Sequence, residues 1–482
     1  MKVKPPIYTG VKKFISKQRT LFTTPGHNGK VILNSRNFCK LDAASTFETD
    51  NLDTPAGYIL DSEKSLRELY DTSYSYYITN GTSCGIMAMI GSVLEPGDKI
   101  IVDRASHKAV IDAIVLNRLV PVFVEREFNT DLGFFGGINP YILEGVMTAH
   151  RDAKAMYLTS PTYYGVVADI EQIADIAYRH NVLLLVDESH GAHLPFAEEL
   201  PKSALYCGAD MVLHNAGETL GSMSGGAILH INNPTINADK VRRVLYTYQS
   251  PDTSNAYLCA LENSIYYANN KQKQYTALIR EIDRCKAIIN GGTDIVWFDT
   301  GEDIHFDIYA NDKTRIVINF AKIGISGAEA SDILRIKYDI EPELADTYNI
   351  VLVASLFNSP HDIRRLLSGL MYIYKQFLKK RIDPIDPEIP QFSNNEIILT
   401  SEPGNTMRSP SEWVEPRDVE GRICKGMIYT YPTYCPLIIP GERITQKHLQ
   451  SMDLAVDNGE KICGLSSDGK FEVVNMTFTY RF

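Results

Sequence analysis

Val182-Leu-Leu-Leu-Val-Asp-Glu-Ser-His-Gly-Ala-His193 carries the strongest structural signal in the chain. An apolar run of this length, cut off by polar residues, reads as a strand buried on both faces, the kind that lies inside a helix-covered parallel sheet. It ends on Asp187. A second short run, Met211-Val-Leu213, ends in His214-Asn-Ala-Gly-Glu-Thr-Leu220. Working outward, the runs Ser75–Ile78, Lys99–Val102, Val120–Val124, Ala155–Leu158 and Gly226–Leu229 complete a series that alternates with helical patterns. Such alternation predicts an α/β fold with a mostly parallel sheet. In these sheets, ligand-binding groups gather where strands end and loops begin.

Several chemically capable residues fall at those ends. The loop Thr79-Asn-Gly-Thr-Ser-Cys-Gly85 precedes a helical run. Its hydroxyls and backbone N–H groups suit a phosphate cradle, or else Thr82 or Ser83 simply caps the helix. His107, in Arg104-Ala-Ser-His-Lys108, could stack on an aromatic ring or serve as a hydrogen-bonded residue near a helix start. Asp187 could hold a protonated ring nitrogen, or act as a cap at a strand-to-helix turn. His190 and His193 could line the same opening, but no third metal ligand accompanies them. Ser160-Pro-Thr-Tyr-Tyr-Gly165 and Tyr248-Gln-Ser-Pro-Asp-Thr253 add two hydroxyl-rich turns.

Composition narrows the class. Hydrophobic residues make up 44% and charged residues 22%, as in ordinary globular chains. The net charge of -11 argues against a nucleic-acid partner or an anionic membrane surface. The eight cysteines are scattered without CxxC spacing, which predicts reduced thiols in a cytoplasmic protein. The Met1-Lys-Val-Lys-Pro-Pro start lacks a signal-peptide core, and no apolar run approaches a membrane span. The expected organisation is an N-terminal arm over 1–60, a large α/β domain over 61–265 and a small α+β domain over 266–380. A proline-rich linker over 381–395 (Asp383-Pro-Ile-Asp-Pro-Glu-Ile-Pro390) leads to a C-terminal α+β domain over 396–482. The small domain should open with one long helix, about 260 to 289. The tail should close with an edge strand in Phe471–Tyr480.

With these residues in hand, the chain resembles the ornithine/lysine/arginine decarboxylase family of pyridoxal-phosphate (PLP) enzymes, of fold type I (aspartate-aminotransferase-like). The resemblance runs from about 20 to 275 through Thr24-Pro-Gly-His27, Thr79–Ser83, Ser106-His-Lys108, Ser160-Pro-Thr-Tyr163, Val186–His193 and Ser250-Pro251. It resumes at Gly421-Arg-Ile423 and Tyr431–Glu442. It implies that Thr82, Ser83 and Cys84 surround the cofactor phosphate, that His107 stacks on the pyridine and that Asp187 pairs with its nitrogen. His190 and Asn215 would lie in the same site. The turn at Ser250 would reach the phosphate of a neighbouring subunit in a dimer.

The resemblance also locates a loss. The family's cofactor lysine follows a histidine in a phrase ending Lys-Thr-Leu; here Thr219-Leu220 sets the register, Glu218 takes the lysine position and Gly217 the histidine's. The lysines nearest in sequence are Lys202 and Lys240. Asn28 stands where lysine is usual, and Tyr434 where glycine is. A carboxylate cannot form a Schiff base. An unpaired Glu218 about 6 Å from a phosphate would cost roughly 2 to 3 kcal/mol at an effective dielectric near 20. Three readings follow. One is a pseudoenzyme that regulates or completes an active paralogue, as a homodimer or heteromer. Another is an enzyme of altered chemistry, binding PLP or its amine form non-covalently with Glu218 as acid/base. The third is a non-catalytic binder of an amino acid or polyamine.

Overall fold

The computed structural model describes residues 16–17, 19–28, 30, 41–42, 50–250, 253–300, 308–378, 399–431, 433–457 and 460–475. The proline-rich linker of 381–395 lies outside them, as does the end of the Phe471–Tyr480 run beyond 475.

All seven anticipated strands join one seven-stranded sheet. They are β1 (Tyr74–Ile78), β2 (Lys99–Asp103), β3 (Val120–Val124), β4 (Ala153–Thr159), β5 (Leu183–Asp187), β6 (Met211–Asn215) and β7 (Ala227–Ile231), in the order β1-β7-β6-β5-β4-β2-β3. Only β7 runs against its neighbours β6 and β1; the remaining pairs are parallel. The strands read as continuous apolar runs because both faces are covered, and separate apolar clusters fill the two sides. Register brings Thr159 beside Asp187, and Asp187 beside Leu213, so chemically active residues share one sheet edge.

Helices reverse the chain between strands, among them α1 (Gly81–Val93), α2 (Lys108–Asn117) and α3 (Ile170–His180). Helix α3 shows why the sequence folds locally as it does. Asp169 accepts a hydrogen bond from the Gln172 N–H at its start, and Asn181 ends it in the left-handed conformation, which delivers Val182 directly into β5.

A four-stranded antiparallel sheet forms the second unit from β8 (Val296–Trp297), β9 (Arg315–Asn319), β10 (Leu344–Ala345) and β11 (Asn349–Val353). Its apolar core includes residues of the helices Gln272–Gly292, Gly327–Lys337 and Pro360–Phe377. The single long helix expected over 260 to 289 is two helices, Asn255–Asn270 and Gln272–Gly292, broken at Lys271. The break follows an Asn269-Asn270 pair, residues of weak helix propensity. A third unit pairs β12 (Ser411–Val414) with β16 (Phe471–Val474), and sets β13 (Ile428–Tyr431) between β14 (Pro436–Ile438) and β15 (Lys461–Cys463). Arg104 donates to the carbonyls of Pro436 and Leu437, tying this unit to the end of β2. Among the described residues, no helix is long and apolar enough to cross a membrane.

Candidate active site

The site is assembled at the carboxyl edge of the large sheet. Asp187 ends β5 and is buried. One carboxylate oxygen accepts from the Ser189 N–H at 3.0 Å and from the Ser189 hydroxyl, and the other accepts from the Tyr157 hydroxyl at 2.7 Å. These donors fix the plane of the carboxyl group. His107 caps α2, its Nδ1 accepting from the Ala109 N–H at 3.1 Å. That bond leaves the proton on Nε2, and burial lowers the imidazole's basicity although nearby Asp187 opposes the change. The hydrogen-bonded reading of His107 and a ring-stacking role are compatible, because capping uses one edge of the ring and leaves its faces.

At the Thr79–Gly85 loop, expected to cradle a phosphate, the cap is Asn80, not Thr82 or Ser83, and the Asn80 side chain makes no capping bond. It donates instead to the Tyr248 carbonyl at 2.9 Å. Thr82 and Ser83 occupy the first turn of α1, where amides lacking helical acceptors can receive an anion. Cys84 departs from the expectation. Its thiol packs into the apolar core and burial pushes it up to about 12, so only its backbone sits at the helix start. Exposed Ser250 lies in the turn that flanks this loop. The Gln249 side chain accepts from the Thr79 N–H at 3.0 Å, and the Thr253 and Thr79 hydroxyls meet at 3.2 Å.

Strand β6 leads into a single helical turn, α4 (Ala216–Thr219), capped by Asn215, whose side chain accepts from the Glu218 N–H at 3.2 Å. Gly217 is required there, since a Cβ would come within 2.8 Å of the Met223 carbonyl oxygen. Gly26, in the Pro-Gly-His turn, donates its N–H to the Gly217 carbonyl and leaves no room for a side chain against the Glu218 backbone.

The Glu218 carboxylate is buried between His190 and Arg315. His190 donates Nδ1–H to Oε1 at 2.5 Å, and Arg315 of β9 donates Nη2–H to the same oxygen. Burial alone would raise this carboxyl; the His190 and Arg315 charges outweigh burial and hold it down at about 2. The anticipated uncompensated charge is therefore neutralised within the chain. His190 and His193 do not face one opening. His193 is buried against Asp312 at 3.1 Å and Thr314 at 2.8 Å. No group of His, Cys, Asp or Glu suited to a metal occurs among the described residues.

Arg315 and Tyr157 escaped the sequence reading. Arg315 opens an apolar strand, a position where an arginine is ordinarily solvated. Its neighbours Asp312 and Thr314 pair with buried His193, so no local pattern marks Arg315 as a partner of Glu218. Tyr434 lies where its ring centroid is 5.4 Å from that of His107, its carbonyl accepting from the Lys108 N–H. Its φ of 54° is unusual for a bulky residue.

This set of strand-end groups can be placed against known proteins. The profile of the Orn/Lys/Arg decarboxylase major domain matches residues 5–302, well over half of the chain. The chain belongs to the Orn/Lys/Arg decarboxylase family. Within it, the arginine decarboxylase of Bacillus subtilis is 29% identical over 479 residues, covering 95% of both chains. That of Halalkalibacterium halodurans is 31% identical, covering 92% of each. The lysine decarboxylase of Francisella novicida superposes with a TM-score of 0.77 at 17% identity, covering 98% of this chain and 82% of that one, which is a likeness of fold. Family membership assigns the fold type I architecture and, by homology, pyridoxal phosphate as cofactor.

Proposed function

We propose that this chain is a catalytically degenerate family member that keeps the non-covalent half of a PLP site and does not decarboxylate ornithine, lysine or arginine. What supports the reading is the Glu218 carboxylate, fixed by Arg315 and His190, at the position that the resemblance through Thr219-Leu220 assigns to the family's lysine.

The residues fit the cofactor in part. The first turn of α1 with Thr82 and Ser83 suits a phosphate, the face of His107 suits a pyridine ring, and Asp187 suits its protonated nitrogen. When bound, the cofactor supplies an electron sink beside the substrate carbon. Residue 218 does not fit the covalent link, because a carboxylate offers no nucleophilic amine. Glu218 also makes a poor acid/base: held near 2, it stays ionised at neutral pH and takes up protons weakly. That weighs against the reading as an enzyme of altered chemistry. The compensation of its charge removes most of the expected repulsion toward a phosphate, so lost covalent retention becomes the main penalty on affinity.

The test is direct. Purified protein mixed with PLP and each basic amino acid should release no carbon dioxide and should show no borohydride-reducible PLP on any lysine. Turnover, or one labelled lysine, overturns the proposal. A chain that keeps the fold without turnover is suited to pairing with itself or with an active paralogue, and light scattering of the protein alone and of a co-expressed pair would read that out.

A further inference from the structure

We infer that Arg315 and His190 form a carboxylate-binding site that Glu218 fills in cis, so that residue 218 acts as a tethered ligand latching the small sheet onto the large one. The inference rests on the degenerate reading above, and it names the ligand chemistry of the same site.

Three observations carry it. First, Arg315 is built into the interior. Its side chain is 1% exposed, its guanidinium lies 5.3 Å from the Tyr163 ring centroid, and it stands at the start of β9 facing the turn α4 of the other unit. Second, the pair is half used. Nη1 of Arg315 is buried with no hydrogen-bond partner among the described residues. Glu218 spends one oxygen, Oε1, on both His190 and Arg315, while among the described residues Oε2 meets only the Asn215 side-chain amide at 3.4 Å. A guanidinium and a carboxylate are matched for two parallel bonds, and an untethered pair adopts them. Third, the tether explains the mismatch. The Glu218 backbone is held by Asn215, and its neighbour Gly217 is pinned by Gly226 and Gly26. The side chain reaches the arginine without squaring up to it, whereas a free carboxylate carries no such constraint. The latch has a second strut on the same segment, where His193 bridges to Asp312 and Thr314 just before Arg315.

The probe is sodium acetate, with sodium chloride at equal ionic strength as control, read by thermal melting and calorimetry on the full chain. Glu218→Ala should melt below the native protein. Acetate should raise its melting temperature saturably, half-saturating in the millimolar range expected of so small a ligand. The native protein should show no acetate shift beyond chloride, and Glu218→Ala/Arg315→Met should show none. An equal acetate effect on native and variant protein, or one that survives loss of Arg315, overturns the inference. Should Glu218→Ala fail to fold, Arg315→Met, Glu218→Gln and their double variant decide the matter. The double must recover most of the loss seen in Arg315→Met, and simple addition of the two losses refutes the latch. None of these readouts involves the cofactor, so a labelled lysine would sink the degenerate reading while the acetate arm separately judges the latch.

Discussion

Replacing Glu218 by glutamine keeps the shape and one acceptor oxygen but removes the charge. The magnitude follows from the carboxyl's environment. Held at about 2 in the folded chain against an ordinary value of 4.5, it contributes about 3 kcal/mol of stability at neutral pH. Removing one partner of a buried ion pair costs a similar amount by a separate route, about 3 to 5 kcal/mol, because a buried arginine is left uncompensated. The sign is that of a depressed carboxyl. Its contribution is complete above about 4.5 and disappears as pH falls toward 2. At about 2.1 cal/mol/K per residue, cooperative unfolding of a chain this long has an entropy near 1 kcal/mol/K, so the melting temperature should drop about 3 °C at pH 7. The assay is a melting series of native and Glu218→Gln protein at one scan rate, from pH 7 downward. The gap between the two should be constant above pH 5 and should narrow below it. A missing gap at pH 7, or one of equal size throughout the acid limb, refutes the claim that Glu218 is held as an anion by its neighbours.

The remaining predictions test other parts of the site. Glu188→Ala strands the Ala204 N–H, the Ser203 hydroxyl and buried His214, all bound to that carboxylate, and should cost about 3 kcal/mol or more by denaturant unfolding. Gly217→Ala forces a Cβ against the Met223 carbonyl and should lower stability by about 1 to 3 kcal/mol in the same assay. Tyr434→Gly relieves a left-handed backbone at the expense of ring contacts with His107 and Tyr429, and the two effects should cancel to within about 1 kcal/mol. Glu218→Lys places an ammonium beside buried Arg315, so its amine should be unusually unprotonated; with excess PLP it should develop a new visible absorbance band that the native protein lacks.

How much could be read from sequence depended on the range of the interaction. The seven large-sheet strands were legible because burial on both faces leaves contiguous apolar runs, and Asp187 was legible as the polar residue that ends one of them; Asn215 came only from the family resemblance. The cap at His107 is likewise local, set by a bond to the next residue but one. The break at Lys271 was not legible, since neither glycine nor proline marks it. Cys84 misled because its small polar neighbours placed it in a loop, whereas the first turn of α1 already aims it inward. The largest miss was the partner of Glu218. A carboxylate read in isolation repels a phosphate; the same carboxylate beside Arg315 and His190 does not. Nothing within helical or strand periodicity of residue 218 announces an arginine in another sheet.

Residue 218 acts together with its neighbours. The glutamate is paired to an arginine contributed by β9, the residue before it must be glycine because the Met223 carbonyl crowds it, and the residue opposite must be glycine because the Glu218 backbone crowds that. Asn28, at a second position where the resemblance expects lysine, bonds the Asn358 side chain at 2.9 Å in the small unit. Glu218 and Asn28 thus tie the strand-end loops to the small unit by internally neutralised or uncharged contacts. A pocket that must admit a charged substrate benefits from unsatisfied groups facing the opening, whereas this one directs its charges at one another. On the proposed reading, a lysine placed at 218 supplies a nucleophile without the surroundings that a turnover site requires. The Glu218→Lys protein should gain the absorbance band and still release no carbon dioxide from arginine, lysine or ornithine; brisk decarboxylation by that single variant would mean that the other substitutions are incidental.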